Sequence, residues 1–315
     1  MGANSSYNPT GGGGSNISNP SVAYVSTAGV NGTAAIGDPG KPYLTVQAAY
    51  NAGARNFNMG IGAFTLTLPV AGQVTLFVRG RGRGLTTLEI IRTGANGTTG
   101  VAGVNYVSAP GDGTPGENIA GVILLSDKTV TVSLDCQGGN GGTGGTGGGD
   151  TIEDIGYNGG VGGNAGALMG SWIYKHVIFD TIILAQGAVG AGGDGTASGF
   201  VTPGVNGADG QPADVSLSRI EDCEIEGPVQ CEGFLWKDTR ALATVVSIND
   251  SASALDNCIF ETSLFLSNAD GVSVLRSYLL AVEGPSTVRY TFSVCPNDTS
   301  SEPISNASYI NGVFA

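Results

Sequence analysis

Four carboxylates crowd one short stretch of the chain, RIEDCEIEG, as Glu221, Asp222, Glu224 and Glu226. In a continuous strand, alternation would put Asp222, Glu224 and Glu226 on one face. Two carboxyls about 5 to 10 Å apart are what glycoside hydrolysis asks of its acid and base, and three on one face could also hold calcium. The simpler reading is a solvated strand face that keeps a sheet soluble. A second cluster, Asp150, Glu153 and Asp154, reads as a turn cap, and the lone histidine, His176, as a structural residue between Lys175 and Val177. The five cysteines, Cys136, Cys223, Cys231, Cys258 and Cys295, are odd in number, widely spaced and without a CxxC pair. They support neither a disulfide framework nor a zinc site. No cofactor is called for, and calcium is the one candidate ion.

A different kind of site is offered by GGNGGTGGTGGG, Gly138 to Gly149, where paired glycines leave only Asn140, Thr143 and Thr146 to meet a ligand. A period of three is neither α nor β. It matches the extended polyproline II type of helix, which has no internal hydrogen bonds and packs tightly only where side chains are absent. Further runs follow at Gly156, Gly159, Gly162, Gly163 and Gly166, at Gly187, Gly190 and Gly193, and at Gly204, Gly207 and Gly210. One such run would be a flexible linker. Several in one region, separated by apolar segments, argue for lateral packing, because each glycine loses much backbone entropy on ordering and neighbours must supply its hydrogen-bond partners. This pattern, over about residues 138 to 212, resembles the glycine-rich receptor-binding regions of some bacteriophage tail-fibre adhesins, which stack polyglycine helices.

These candidates sit in a chain of 315 residues with 54 glycines, 12% charged residues and a net charge of −13. The acidic balance lacks the cations that neutralise phosphates, so nucleic acid is excluded as a partner. The RGRGRG of Arg79 to Gly84 then reads as solvated corner residues. No segment reaches the roughly 18 apolar residues of a membrane helix, and residues 1–20 resemble neither a secretory signal nor a core element. They are expected to form an extended arm that docks to a neighbouring subunit.

Strand-like runs at Ala23 to Ser26, Ala63 to Pro69, Val74 to Arg79, Thr86 to Arg92, Gly121 to Leu125 and Thr129 to Leu134 alternate with Gly, Asn and Pro turns. Thr45 to Tyr50 reads as a brief helical turn ended by Gly53. Later segments align on Cys223, Thr239, Cys258 and Ser277, with spacings of 16, 19 and 19 residues, near one coil of a stacked solenoid; HVIFDTIIL around Thr181 fits the same pattern. Cys223 and Cys258 would then stack as small apolar interior residues, and Cys223→Ser is expected to destabilise. Tyr24, Val25, Ser26, Gly29, Pro42, Tyr43 and the TVQAA of Thr45 to Ala49 resemble the opening coil of pectin-lyase-like right-handed parallel β-helix proteins, as Phe77 to Ile90 resembles one of their early coils. The NTD, DD, GHG and RIK series of the pectin hydrolases is absent, so the resemblance implies a fold and no activity.

The expected class is all-β, a right-handed parallel β-helix with inserted polyglycine II helices. The expected divisions are an arm (1–20), first coils (21–137), glycine-rich insertions with intervening strands (138–212) and C-terminal coils (213–315). Together the two resemblances imply a bacteriophage virion structural protein, a tail-fibre, spike or surface-decoration component that contributes to host attachment. Its expected partners are other virion subunits, met through the arm, and a host surface glycan or protein. It would be an oligomer without membrane contact, located in the virion and extracellular after lysis. The alternatives are a β-helical polysaccharide lyase or hydrolase using Asp222, Glu224 and Glu226, and a cell-surface adhesin.

Overall fold

Where apolar and polar residues alternate, as in Val74–Arg79 and Thr86–Thr93, every second side chain is buried, as the two-residue strand period requires. The structure is a computed structural model that describes residues 21–103, 110–150, 155–156, 158–195, 207–210, 218–231, 234–243, 245–247, 253–266, 272–284, 288–291, 293–300, 304–306, 309–310 and 313–314. Among these the chain is almost wholly β, with one helix of 6 residues, Val46–Asn51, started by Thr45, whose side chain accepts from the Ala48 N–H.

Most of the chain passes back and forth between an 11-stranded and a 14-stranded sheet, with two further two-stranded pairs. The pairing within both large sheets is parallel except at the last two strands, Tyr309–Ile310 and Val313–Phe314. The result is a parallel, solenoid-like all-β fold. Its register reproduces the sequence spacing, since Ser218 lies beside Phe234, Leu235 beside Ala254 and Ala254 beside Ser273, offsets of 16, 19 and 19 residues.

Parallel in-register stacking makes columns. Tyr174, Ile220, Trp236, Leu255, Val274 and Tyr290 follow one another rung by rung in the first sheet, and all are buried in one cluster with inner residues of the second sheet. Trp236 stacks on Phe260 at 5.6 Å between ring centroids. Each aliphatic member of the column, Ile220, Leu255 and Val274, contributes about 1.5 to 3 kcal/mol through burial.

The chain turns from the first sheet into the second through a single left-handed residue. Lys128, His176, Asp222, Asp238, Asn257 and Arg276 all have φ between 49° and 61°, a conformation that Asn, Asp and His tolerate better than most residues. Asp222 therefore breaks the expected continuous strand. Ser218–Glu221 belongs to the first sheet and Glu224–Ile225 to the second, so Asp222 stands at the corner while Glu224 and Glu226 remain on one side, flanking buried Ile225.

From His176 onward the next position is a buried corner column, Val177, Cys223, Thr239, Cys258 and Ser277, which Ser293 continues; in the upstream rung the corner is Val177 and not Thr181. Val177, Cys223 and Cys258 lie in the apolar core as expected, and the column is at the same time a hydrogen-bonding ladder. Ser277 Oγ donates to the Leu275 carbonyl at 2.7 Å and accepts from the Cys258 N–H at 3.0 Å. Cys223 Sγ occupies the same place, near the Glu221 carbonyl at 3.3 Å and accepting from the Val177 N–H at 3.4 Å. Serine can make both contacts, which argues for a smaller loss on Cys223→Ser than burial in the core alone would give. Burial pushes the Cys223 and Cys258 thiols up to about 12, which keeps them protonated and unreactive at neutral pH.

Candidate functional site

Three consecutive rungs of the second sheet run out of their strands into glycine segments. Thr86–Thr93, Thr131–Gln137 and Ile178–Ala185 continue as outgoing segments 94–103, 138–147 and 186–194. The chain comes back along 111–118, 159–167 and 207–210. Outgoing segments lie parallel in one layer, where Gly97 N–H donates to the Asn140 carbonyl at 2.7 Å and Gly141 N–H to the Ala188 carbonyl at 2.8 Å. Returning segments form a second parallel layer, tied by Gly113 N–H to the Val161 carbonyl and Gly116 N–H to the Asn164 carbonyl. Between layers the direction reverses, with Gly142 N–H donating to the Thr114 carbonyl and Gly163 N–H to the Gly142 carbonyl at 2.6 Å.

This geometry explains the triplets. In 138–147 the positions Gly138, Gly141, Gly144 and Gly147 donate sideways within the layer, and Gly139, Gly142 and Gly145 donate across it. Both sets lie against neighbouring backbone, where a Cβ on Gly141 would fall on the Gly163 carbonyl and one on Gly142 on the Thr98 carbonyl. Only the third position has room for a side chain. Asn140, Thr143 and Thr146 occupy it and are exposed. Segment 94–103 lies at the lateral edge, has fewer neighbours and carries one glycine per triplet instead of two.

The outward side chains are partly used by the array itself. Asn140 Oδ1 accepts from the Ala188 N–H at 2.8 Å, Asn96 Oδ1 accepts from the Asn140 N–H at 2.9 Å, and Thr143 Oγ1 donates to Thr99 Oγ1 at 3.0 Å. Asp112 and Asn118 do the same in the other layer for the Val161 and Ala167 N–H groups. The amide or carboxylate oxygen takes the one N–H per triplet that points out of the array. What remains for a ligand is a flat face of Asn, Thr and small apolar groups in regular rows. Asn140 and Thr143 lie on it together with Asn96 and Thr99, and Thr146 lies on the same segment.

Sequence reasoning missed segments 94–103 and 111–118, placing the glycine array only from residue 138. The signal available was Gly94, Gly97, Gly100 and Gly103, a clean period of three. Also missed was Arg92, whose buried guanidinium donates to the carbonyls of Ala71, Gly72, Ala120 and Gly121 at 2.5 to 3.2 Å. It pins the first sheet's approach loops beside the point where segment 94–103 departs. Burial lowers its pKa.

The carboxylates of 221–226 are each held by a cation. Glu221 meets Lys175 at 2.5 Å. Asp222 meets Lys128 Nζ at 2.6 Å and His176 Nδ1 at 2.7 Å. Arg83 reaches Glu224 at 3.2 Å and also pairs with Glu226. The Lys128 hydrogen bond, with a further one from His176, holds the Asp222 carboxyl below the usual range. A lowered pKa suits a fixed anion and not a general acid, which needs a raised one. His176 is half-exposed at the corner. Arg79 and Arg83 are ion-paired corner residues. Asp150 lies in the short antiparallel pair Gly149–Asp150 and Ile155–Gly156; Glu153 and Asp154 lie outside the described residues, as do the arm 1–20 and Gly204.

Among the described residues no three His, Cys, Asp or Glu side chains are grouped as metal ligands would be, and no helix is long and apolar enough to cross a membrane. Comparison with known proteins gives no match to a family model, a curated protein or a solved structure.

Proposed function

We propose that this chain is a structural protein of a bacteriophage particle, a tail-fibre, spike or surface-decoration component that contributes to host attachment. On this reading the two parallel sheets are faces of a right-handed parallel β-helix, and the glycine segments are polyglycine II helices projecting from it. The observation that carries the reading is the two-layer glycine array. Its backbone hydrogen bonds run in both lateral directions, so it is a rigid plate with few protein side chains. A plate of this kind displays short polar groups at fixed spacing, which suits repeated surface structures better than a concave catalytic cleft would. The low charge fraction fits a surface that meets other subunits, with the arm 1–20 as the docking segment to a neighbouring one and a host glycan or protein as the ligand of the array.

The test uses purified protein added to bacterial envelopes and their extracted surface glycans, with mass spectrometry recording what is retained and whether it is shortened. Retention of intact glycan or envelope, competed by phage particles that use the same host, is the expected result. Shortened chains would identify an enzyme and return attention to Asp222, Glu224 and Glu226. Absence of both retention and cleavage across the host panel would remove attachment from the account.

A further inference from the structure

The outer face of the first sheet at its N-terminal end carries a cavity of about 390 Å³, lined among others by Tyr24, Asn56, Asn58, Phe77, Arg79 and Asp127. That size lies within the range of small-molecule sites. The parallel register sets these side chains out as a grid. Asn56, Phe77 and Leu125 are adjacent along one row, and Tyr24, Asn58 and Arg79 along the next. Neighbours in a row are about 4.8 Å apart, and the rows about 6.7 Å apart, from strand geometry.

Folding accounts poorly for this grid. Phe77 is 46% exposed on a sheet whose inward positions hold the core. Asparagine is depleted in strands, yet Asn56 and Asn58 stand two apart in Asn56–Met59, half-buried. Neither side-chain amide has a hydrogen-bond partner among the described residues. Arg79 meets Asp127 through Nε at 2.7 Å, which leaves its terminal amino groups free for a ligand. Local rules broken without structural gain are expected at functional positions.

We propose that this face is a subsite for one neutral pyranose unit of an oligosaccharide. A pyranose has a flat C–H face, which stacks on an aromatic ring, and a rim of hydroxyls, each able to donate and accept. Phe77 supplies the ring. Asn56 and Asn58 supply paired donors and acceptors at its edge, with Arg79 donating and Asp127 accepting beyond them. Arg79 and Asp127 neutralise each other, and the chain carries −13 overall, so an uncharged sugar is preferred to an acidic one. The subsite gives a chemical class to the attachment ligand and rests on the reading above for its biological purpose alone, because binding is measured on the isolated chain.

Saturation-transfer NMR of the full chain with neutral tetrasaccharides of glucose, galactose, mannose and N-acetylglucosamine, and with tetragalacturonate as the acidic control, tests it. Saturation of at least one neutral sugar is expected, with affinity falling at least tenfold in Phe77→Ala and in the Asn56→Ala, Asn58→Ala double variant, and kept in Phe77→Trp. Absence of binding to every neutral sugar, binding of the acidic control alone, or binding that Phe77→Ala and the double variant leave unchanged would overturn it. Sugar binding without retention by host envelopes would sustain the subsite and sink attachment; the reverse would sink the subsite alone.

Discussion

The rungs between residues 218 and 300 and the glycine segments between 94 and 210 meet the same requirement in opposite ways. Both stack parallel chain on parallel chain, and both must satisfy every backbone N–H that water cannot reach. In the rungs the sheet ladder does this, and side chains fill the space inside, as Trp236 on Phe260 does. In the array the backbones themselves are in contact, and no space is left to fill. A core of side chains tolerates shape changes that conserve volume. A core of backbone tolerates no added atom at all.

The contrast is broken most strongly in the rungs. Trp236→Ala should lower stability by about 3 to 5 kcal/mol, the cost of emptying a buried aromatic site, read by denaturant unfolding. In the array Gly163→Ala places a Cβ on the Thr114 carbonyl and should cost about 3 kcal/mol. Gly32→Ala, with open space around it, serves as control and should stay within about 0.5 kcal/mol. Equal effects for the two glycines would mean that the array is not close-packed.

At the corner residues a side chain does the work of backbone. Cys223→Ser should stay within about 1 kcal/mol of wild type, since serine already makes both ladder bonds at Ser277. A loss of several kcal/mol would mean that apolar burial outweighs the ladder in that column. The smallest effect belongs to Asp222. Its carboxyl is depressed by Lys128 and His176, so the stabilisation it gives is present above the normal carboxylate pKa and is lost as pH falls through the lowered one. Asp222→Asn should therefore melt slightly earlier than wild type at pH 7, by no more than about 1 kcal/mol for so exposed a pair, and the two should converge in acid. A gap that persists once acid has protonated the carboxyl would contradict this assignment of the charge.

Much of this was legible in the sequence, and the failures share causes. Spacings of 16, 19 and 19 residues gave the register because stacked rungs must repeat the same corner. Val74–Arg79 was readable by alternation. Asn56–Met59 was not, because asparagine at its outward positions hides the strand. Those two asparagines are also what the oligosaccharide subsite depends on. Segment 94–103 escaped because a segment at the edge of the array needs glycine once per triplet, a weaker signal than the paired glycines of 138–147. The carboxylates 221–226 looked like one face because sequence does not announce that a single residue, Asp222, turns the chain into another sheet. The cations that hold them come from other rungs, Lys175 and Lys128 in one case and Arg83 in another, and such long-range pairings leave no local pattern.

The glycine segments form one hydrogen-bonded plate. Amide hydrogen exchange at Gly138, Gly139, Gly141, Gly142, Gly144 and Gly145 measures it directly. Packed segments predict slow exchange at all six, comparable to the strand Thr131–Gln137 that leads into them. Exchange at the rate of an unstructured glycine chain would contradict the array and with it the proposed display surface.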